Sequence, residues 1–135
     1  LATDFAFLPQ LLPDQQMTNE IKSLIWMGDS LKQVRNFPDF VRREIGSSLY
    51  DVQQGEQPHN AKPFKDVGSG VFEIVTRFDS DTYRTVYAVK ISNDIYILHA
   101  FQKKSPKGVK TSKQDIDLIK KRYQQAVEKS QEERK

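Results

Sequence analysis

Three segments rich in β-branched and aromatic residues follow one another in the middle of the chain, at residues 71–78, 82–90 and 95–104. The gaps between them are short and polar, built from Asp79, Ser80 and Asp81 and from Ser92, Asn93 and Asp94. A parallel crossover needs about a dozen residues, so consecutive segments are forced to pair as antiparallel hairpins. The centre of the chain is therefore expected to be a three-stranded meander. Polar and cationic residues interrupt its apolar alternation, which makes the sheet the expected seat of any chemistry.

The flanks read as helices. A short strand over residues 21–27, with Leu24, Ile25 and Trp26, is placed to join the sheet. Asp29 or Ser30 caps a short helix that carries Leu31 and Val34 on one face, and Pro38 stops it. Proline at a first helical position followed by Asp39 opens a second helix, whose expected apolar stripe is Phe40, Val41, Ile45, Leu49 and Val52, with Gly55 as its stop. Residues 57–70 hold two prolines and two glycines and read as a loop. After the meander, Thr111 or Ser112 with Gln114 or Asp115 three residues on forms a capping box, and Ile116, Ile119, Tyr123 and Val127 give the last helix its stripe. The organisation expected is one α+β domain over residues 17–127, with an apolar extension at 1–16 outside the core and a charged tail at 128–135 that frays. The alternative for the extension, which carries Phe5, Phe7, Leu8, Leu11 and Leu12, is an arm packed on the domain or on a second copy.

Composition removes several function classes. The absence of cysteine excludes disulfides, thiolate catalysis and sulfur-bound zinc, and fits a reducing cytoplasm. Only His59 and His99 offer imidazole, without clustered ligand spacing, so no metal or other cofactor is expected. No apolar run approaches the ~20 residues of a membrane-spanning helix, so no membrane association is expected. A net charge of +3 is modest. Its distribution is not, since residues 61–110 hold nine Lys and Arg against five Asp and Glu, concentrating the basic excess around the sheet.

The order strand, helix hairpin, meander, helix brings particular residues into register with a known family. Trp26 to Lys32 (Trp-Met-Gly-Asp-Ser-Leu-Lys), Phe37-Pro38, Val41-Arg42, Gly46, Leu49, Asn60-Ala61-Lys62-Pro63, Phe72-Glu73-Ile74, Tyr83-Arg84 with Tyr87, Leu98 to Lys104 (Leu-His-Ala-Phe-Gln-Lys-Lys) and Asp115-Ile116 resemble the RelE/ParE superfamily of bacterial toxins, most closely its phage-related, HigB-like branch. The resemblance covers roughly residues 24–122. It implies a compact RelE-like α+β fold and, for the nuclease members, cleavage of mRNA in the ribosomal A site by metal-independent attack of the ribose 2′-OH on the adjacent phosphate. It also implies a cognate antitoxin, with a small helix-turn-helix protein as the expected partner, beside the ribosome and mRNA. ParE-like relatives poison DNA gyrase by binding instead, and a relative that binds RNA or antitoxin without catalysis is the third alternative.

Such a reaction needs a base, an acid and cations for the charge developing on phosphate. Arg84 matches the arginine that RelE-type toxins place at the phosphate, and its planar fork suits bidentate contact; the alternative is a salt bridge to Glu73, which is compatible if the glutamate orients it. Glu73 and Arg77 share a strand face by the two-residue period and join Arg84 as catalytic candidates, against the reading of an exposed ion pair. His99, on a face with Ile97 and Phe101, is the candidate acid or base, since imidazole titrates near ~6.5; a satisfied core histidine is its alternative. Lys62, Lys65, Lys103 and Lys104 are candidates to gather RNA phosphates, and Tyr87 and Phe101 to stack on an unpaired base, if they are not simply core. His59 reads as a surface residue.

Overall fold

The computed structural model describes residues 21–103 and 110–133, so the extension at 1–16 and Lys104 lie outside the described residues. In chain order the elements are β1 (Leu24–Trp26), α1 (Ser30–Arg35), α2 (Asp39–Gln53), β2 (Ala61–Pro63), β3 (Val71–Phe78), β4 (Asp81–Ala88), β5 (Ile95–Lys103) and α3 (Lys113–Glu133). They form a mixed α+β domain around a five-stranded sheet of order β1-β5-β4-β3-β2, parallel only between β1 and β5.

The central meander forms as its short gaps require. Phe78 pairs with Asp81, so the first hairpin loop is only Asp79 and Ser80, at φ 51° and 69°. Two successive left-handed residues match the right-handed twist of the flanking strands, and aspartate and serine tolerate this with local side-chain hydrogen bonding. The loop expected over 57–70 contains a strand that the sequence reading missed, β2, with Lys62 opposite Glu73. At three residues and ending in Pro63 it is an edge strand, a position in a sheet where proline is tolerated.

The two faces of the sheet bury different cores. Val41, Ile45, Leu49 and Val52 of α2 pack with Ile74, Tyr83, Tyr87 and Ile97. On the opposite face α3 lies over Val86, Leu98 and Phe101, adding Ile119 and Ala126, with Phe64 closing the edge. Phe40 leaves the expected α2 stripe: it is 46% exposed and stacks on Phe78 of β3 at 5.2 Å. The inward stripe instead takes Ser48, whose hydroxyl donates to Asn60. Phe40→Ala is accordingly expected to cost about 1 kcal/mol, the worth of one exposed aromatic contact, rather than the ~3–5 kcal/mol of a buried phenylalanine. Urea denaturation checks this, with a cost in the buried range counting against the placement.

One irregularity sets the geometry of the site. Val86 pairs with His99 and Tyr87 with Ile97, so Leu98 is an extra residue in β5. Strict alternation would put Ile97, His99 and Phe101 on one face. The bulge breaks that alternation: Ile97 joins the α2 side while His99 and Phe101 turn toward α3. The α3 stripe is also rotated from the expected one, because Ile119, Arg122, Ala126 and Ser130 are its buried positions. The helix continues through the stretch expected to fray as far as Glu133.

Candidate nucleic-acid cleft

Glu73, Val75 and Arg77 of β3 alternate onto the α3 side of the sheet, facing Val86, Arg84 and Thr82 across the ladder. Glu73 and Arg84 are diagonal neighbours there, and Arg84 Nη1 donates to Glu73 Oε1 at 2.6 Å. Both side chains are more than nine-tenths buried. Taking two charges out of water is costly, and the close charge-assisted bond is what offsets the cost. Arg84 Nε has no hydrogen-bond partner among the described residues, an orphaned donor on a buried cation.

This pair forms the floor of a cleft of about 530 Å³. Lys62 and Pro63 of β2, Phe64, Lys65 and Asp66 after it, and Lys110, Thr111 and Ile116 at the start of α3 complete the lining. Lys62, Lys65 and Lys110 are exposed at the rim while Arg84 is buried beneath them, so four cationic side chains converge on one concavity. Such an arrangement suits a polyanion whose phosphate reaches the floor while its backbone is neutralised at the rim.

The structure brings Glu73, Arg84, Lys62 and Lys65 together and separates the other candidates. Arg77 is exposed and lines a neighbouring depression with His59, Asn60 and Lys62. Tyr87 is the clear correction: it projects to the opposite face, 1% exposed and stacked on Phe72, so base stacking is closed to it. Burial there pushes its hydroxyl up to about 12. Phe101 is 8% exposed, with the His99 ring stacked against it at 4.7 Å and Lys103 Nζ 5.4 Å from its centroid, so its role is packing. Lys103 pairs with Asp115 at 3.5 Å.

His99 does not line the cleft, and both of its ring nitrogens are engaged. Nε2 lies 2.9 Å from Asp115 Oδ1 and Nδ1 lies 3.5 Å from Arg122 Nη1. Burial, with help from the Arg122 charge, depresses the imidazole below its ordinary 6.5 against the opposing pull of Asp115. Burial alone would raise Asp115, but hydrogen bonds from His99 and Ser112 and the nearby Lys103 charge hold it below 3.8. Both depressions act in one direction. The folded chain binds fewer protons than the unfolded one, so these groups contribute stability above the unfolded values and lose it as pH falls. Stability is therefore expected to be flat between about pH 7 and 9 and to drop in two steps as pH falls, below 6.5 through His99 and again below 3.8 through Asp115 and Asp29. Urea midpoints against pH read this, and removal of the upper step in His99→Asn confirms its source.

Sequence reading missed Asp115 and Arg122 as parts of this region. Asp115 had a local signal, since Ser112 Oγ accepts its backbone N–H at 3.1 Å and donates to its Oδ2 at 2.8 Å, making Ser112 the cap of α3. Among the described residues no three metal-ligating side chains come together, and no helix is long and apolar enough to cross a membrane.

A mixed α+β domain whose sheet carries a buried Arg–Glu pair under exposed lysines is the class of protein that the fold and cleft define. Within it, residues 32–124 match the family described as phage derived protein Gp49-like (DUF891), and the chain belongs to that family. The match spans α1 to the middle of α3 and includes every cleft residue. No curated protein and no solved structure matches the chain.

Proposed function

We propose that the chain is the toxin of a type II toxin–antitoxin pair, a ribosome-dependent mRNA endonuclease of the bacterial cytoplasm that a cognate, helix-turn-helix antitoxin holds inactive. The observation that carries this reading is the buried Arg84–Glu73 pair beneath Lys62, Lys65 and Lys110 in a family associated with RelE-like toxins. The scissile phosphate sits over Arg84, whose guanidinium is held in orientation by Glu73 and stabilises charge developing on the non-bridging oxygens. The 2′-oxygen forms a bond to phosphorus as the bond to the 5′-oxygen breaks. A carboxylate lining the cleft, Glu73 or Asp66, takes the 2′-proton, and a rim lysine or water returns a proton to the departing 5′-oxygen. The products are a 2′,3′-cyclic phosphate and a 5′-hydroxyl.

Rim lysines that each neutralise one phosphate leave a thermodynamic mark. Lys62→Ala, Lys65→Ala and Lys110→Ala are each expected to weaken binding of a short single-stranded RNA and to flatten the log–log salt slope by about 0.7. Fluorescence anisotropy across a salt series measures this. Unchanged slopes in all three variants would remove RNA from the cleft.

A further inference from the structure

The buried stripe of α3 contains one charged side chain, Arg122, and its guanidinium reaches two separate segments, the β5 bulge and the turn before α1. Nη1 donates to the carbonyl of Leu98 at 3.0 Å, at the β5 bulge, and lies 3.5 Å from His99 Nδ1. Nη2 donates to Asp29 Oδ1 at 2.8 Å, just before α1. Gly28 makes room for it: an added Cβ there would lie 2.5 Å from the guanidinium carbon. An arginine offers only donors, so the imidazole nitrogen facing it must present its lone pair. The ring hydrogen then sits on Nε2 and is donated to Asp115.

Asp115 belongs to the first turn of α3, and the residues around it, Thr111 and Ile116, form one wall of the Arg84 cleft. We propose that Arg122 is a positioning residue: by fixing His99 as the neutral Nε2–H tautomer, it anchors Asp115 and with it the Thr111 and Ile116 wall of the cleft. His99 is then a structural relay between α3 and the sheet rather than the acid or base of the reaction. The catalytic consequence rests on the nuclease reading above, whereas the tautomer and the wall do not.

The test is long-range 1H–15N NMR of the imidazoles, with exposed His59 as internal reference, in the wild type, Arg122→Leu and Arg122→Lys. In the wild type at neutral pH, His99 is expected as a single Nε2–H tautomer. Arg122→Leu is expected to release it into a mixture of forms, to shift the Thr111 and Ile116 amides, and to lower kcat/KM for mRNA cleavage by up to about 10²-fold, the scale of a small misplacement at a reacting centre. Arg122→Lys, which keeps a donor and a cation, is expected to restore most of each. Should Arg122→Leu not fold, Gly28→Ala displaces the same guanidinium and takes its place. A wild-type Nδ1–H tautomer or imidazolium overturns the proposal, as does a displaced guanidinium that leaves the tautomer and both amides unchanged. A wild type that does not cut mRNA would defeat the nuclease reading alone, since the NMR readouts stand without it.

Discussion

Arg84→Met is expected to abolish mRNA cleavage and to destabilise the fold at the same time. Removing the guanidinium leaves the Glu73 carboxylate buried without its partner, a change that typically costs about 3–5 kcal/mol. The same substitution removes the cation beneath the scissile phosphate, which is worth at least ~10²-fold in rate on the scale of a single oxyanion donor. The two effects separate in the double variant Glu73→Leu/Arg84→Met. Replacing a buried ion pair by apolar side chains of similar volume is often neutral or stabilising, so the double variant is expected to regain most of the lost stability. Its cleavage should stay absent. Urea denaturation and cleavage assays on the single and double variants read both quantities, and a double variant that cuts mRNA would show that the pair serves only the fold.

Gly28→Ala is the second large effect, although Gly28 touches neither the cleft nor the main core. Gly28 lies at φ 54°, where a side chain costs about 1–2 kcal/mol, and its new Cβ would meet the far end of Arg122. That side chain is able to move, but only by giving up Leu98 and Asp29. The bond to Asp29 is partly solvent-exposed and contributes less than a buried one, so the expected total is roughly 2–4 kcal/mol. The clash predicts non-additivity. In a double-mutant cycle with Arg122→Leu, Gly28→Ala should cost only its backbone strain, leaving a coupling of about 1–2 kcal/mol. Additive costs would mean that Gly28 and Arg122 act separately.

The strands of the meander were legible because period-two alternation and short polar gaps leave few topologies open. β3 falls over the residues expected, and β4 and β5 start within a residue of them. What the pattern could not carry was the extra residue at Leu98. A bulge keeps local composition unchanged while reversing every later side chain, so Ile97 and His99 looked like neighbours on one face and are not. β2 was hidden by Pro63 and by its length of three residues, which gives no alternation to read.

The Glu73–Arg84 pair was legible as a salt bridge between neighbouring strands, and the structure forms it as a buried diagonal contact. Arg122 was not legible, because a lone arginine beside a helical apolar stripe reads as a solvated flank until its partners are known. Its signal lay in spacing: Ile119, Arg122, Ala126 and Ser130 recur at three and four residues, and small residues at two of those positions mark a helix face lying close to the sheet. Asp29 is distant in sequence from Arg122, and neither its place as a cap for α1 nor its place in the Trp26–Lys32 motif announces the bond between them.

The most direct measurement is cleavage by the purified chain of an mRNA held on programmed ribosomes, beside the same mRNA alone, in the presence of EDTA and with product ends mapped. Cuts confined to the ribosome-bound message, ending in 2′,3′-cyclic phosphate and lost in Glu73→Leu/Arg84→Met, are the expected result. An intact message from a folded chain that still arrests bacterial growth when expressed would contradict the nuclease reading and point to a poison that acts by binding.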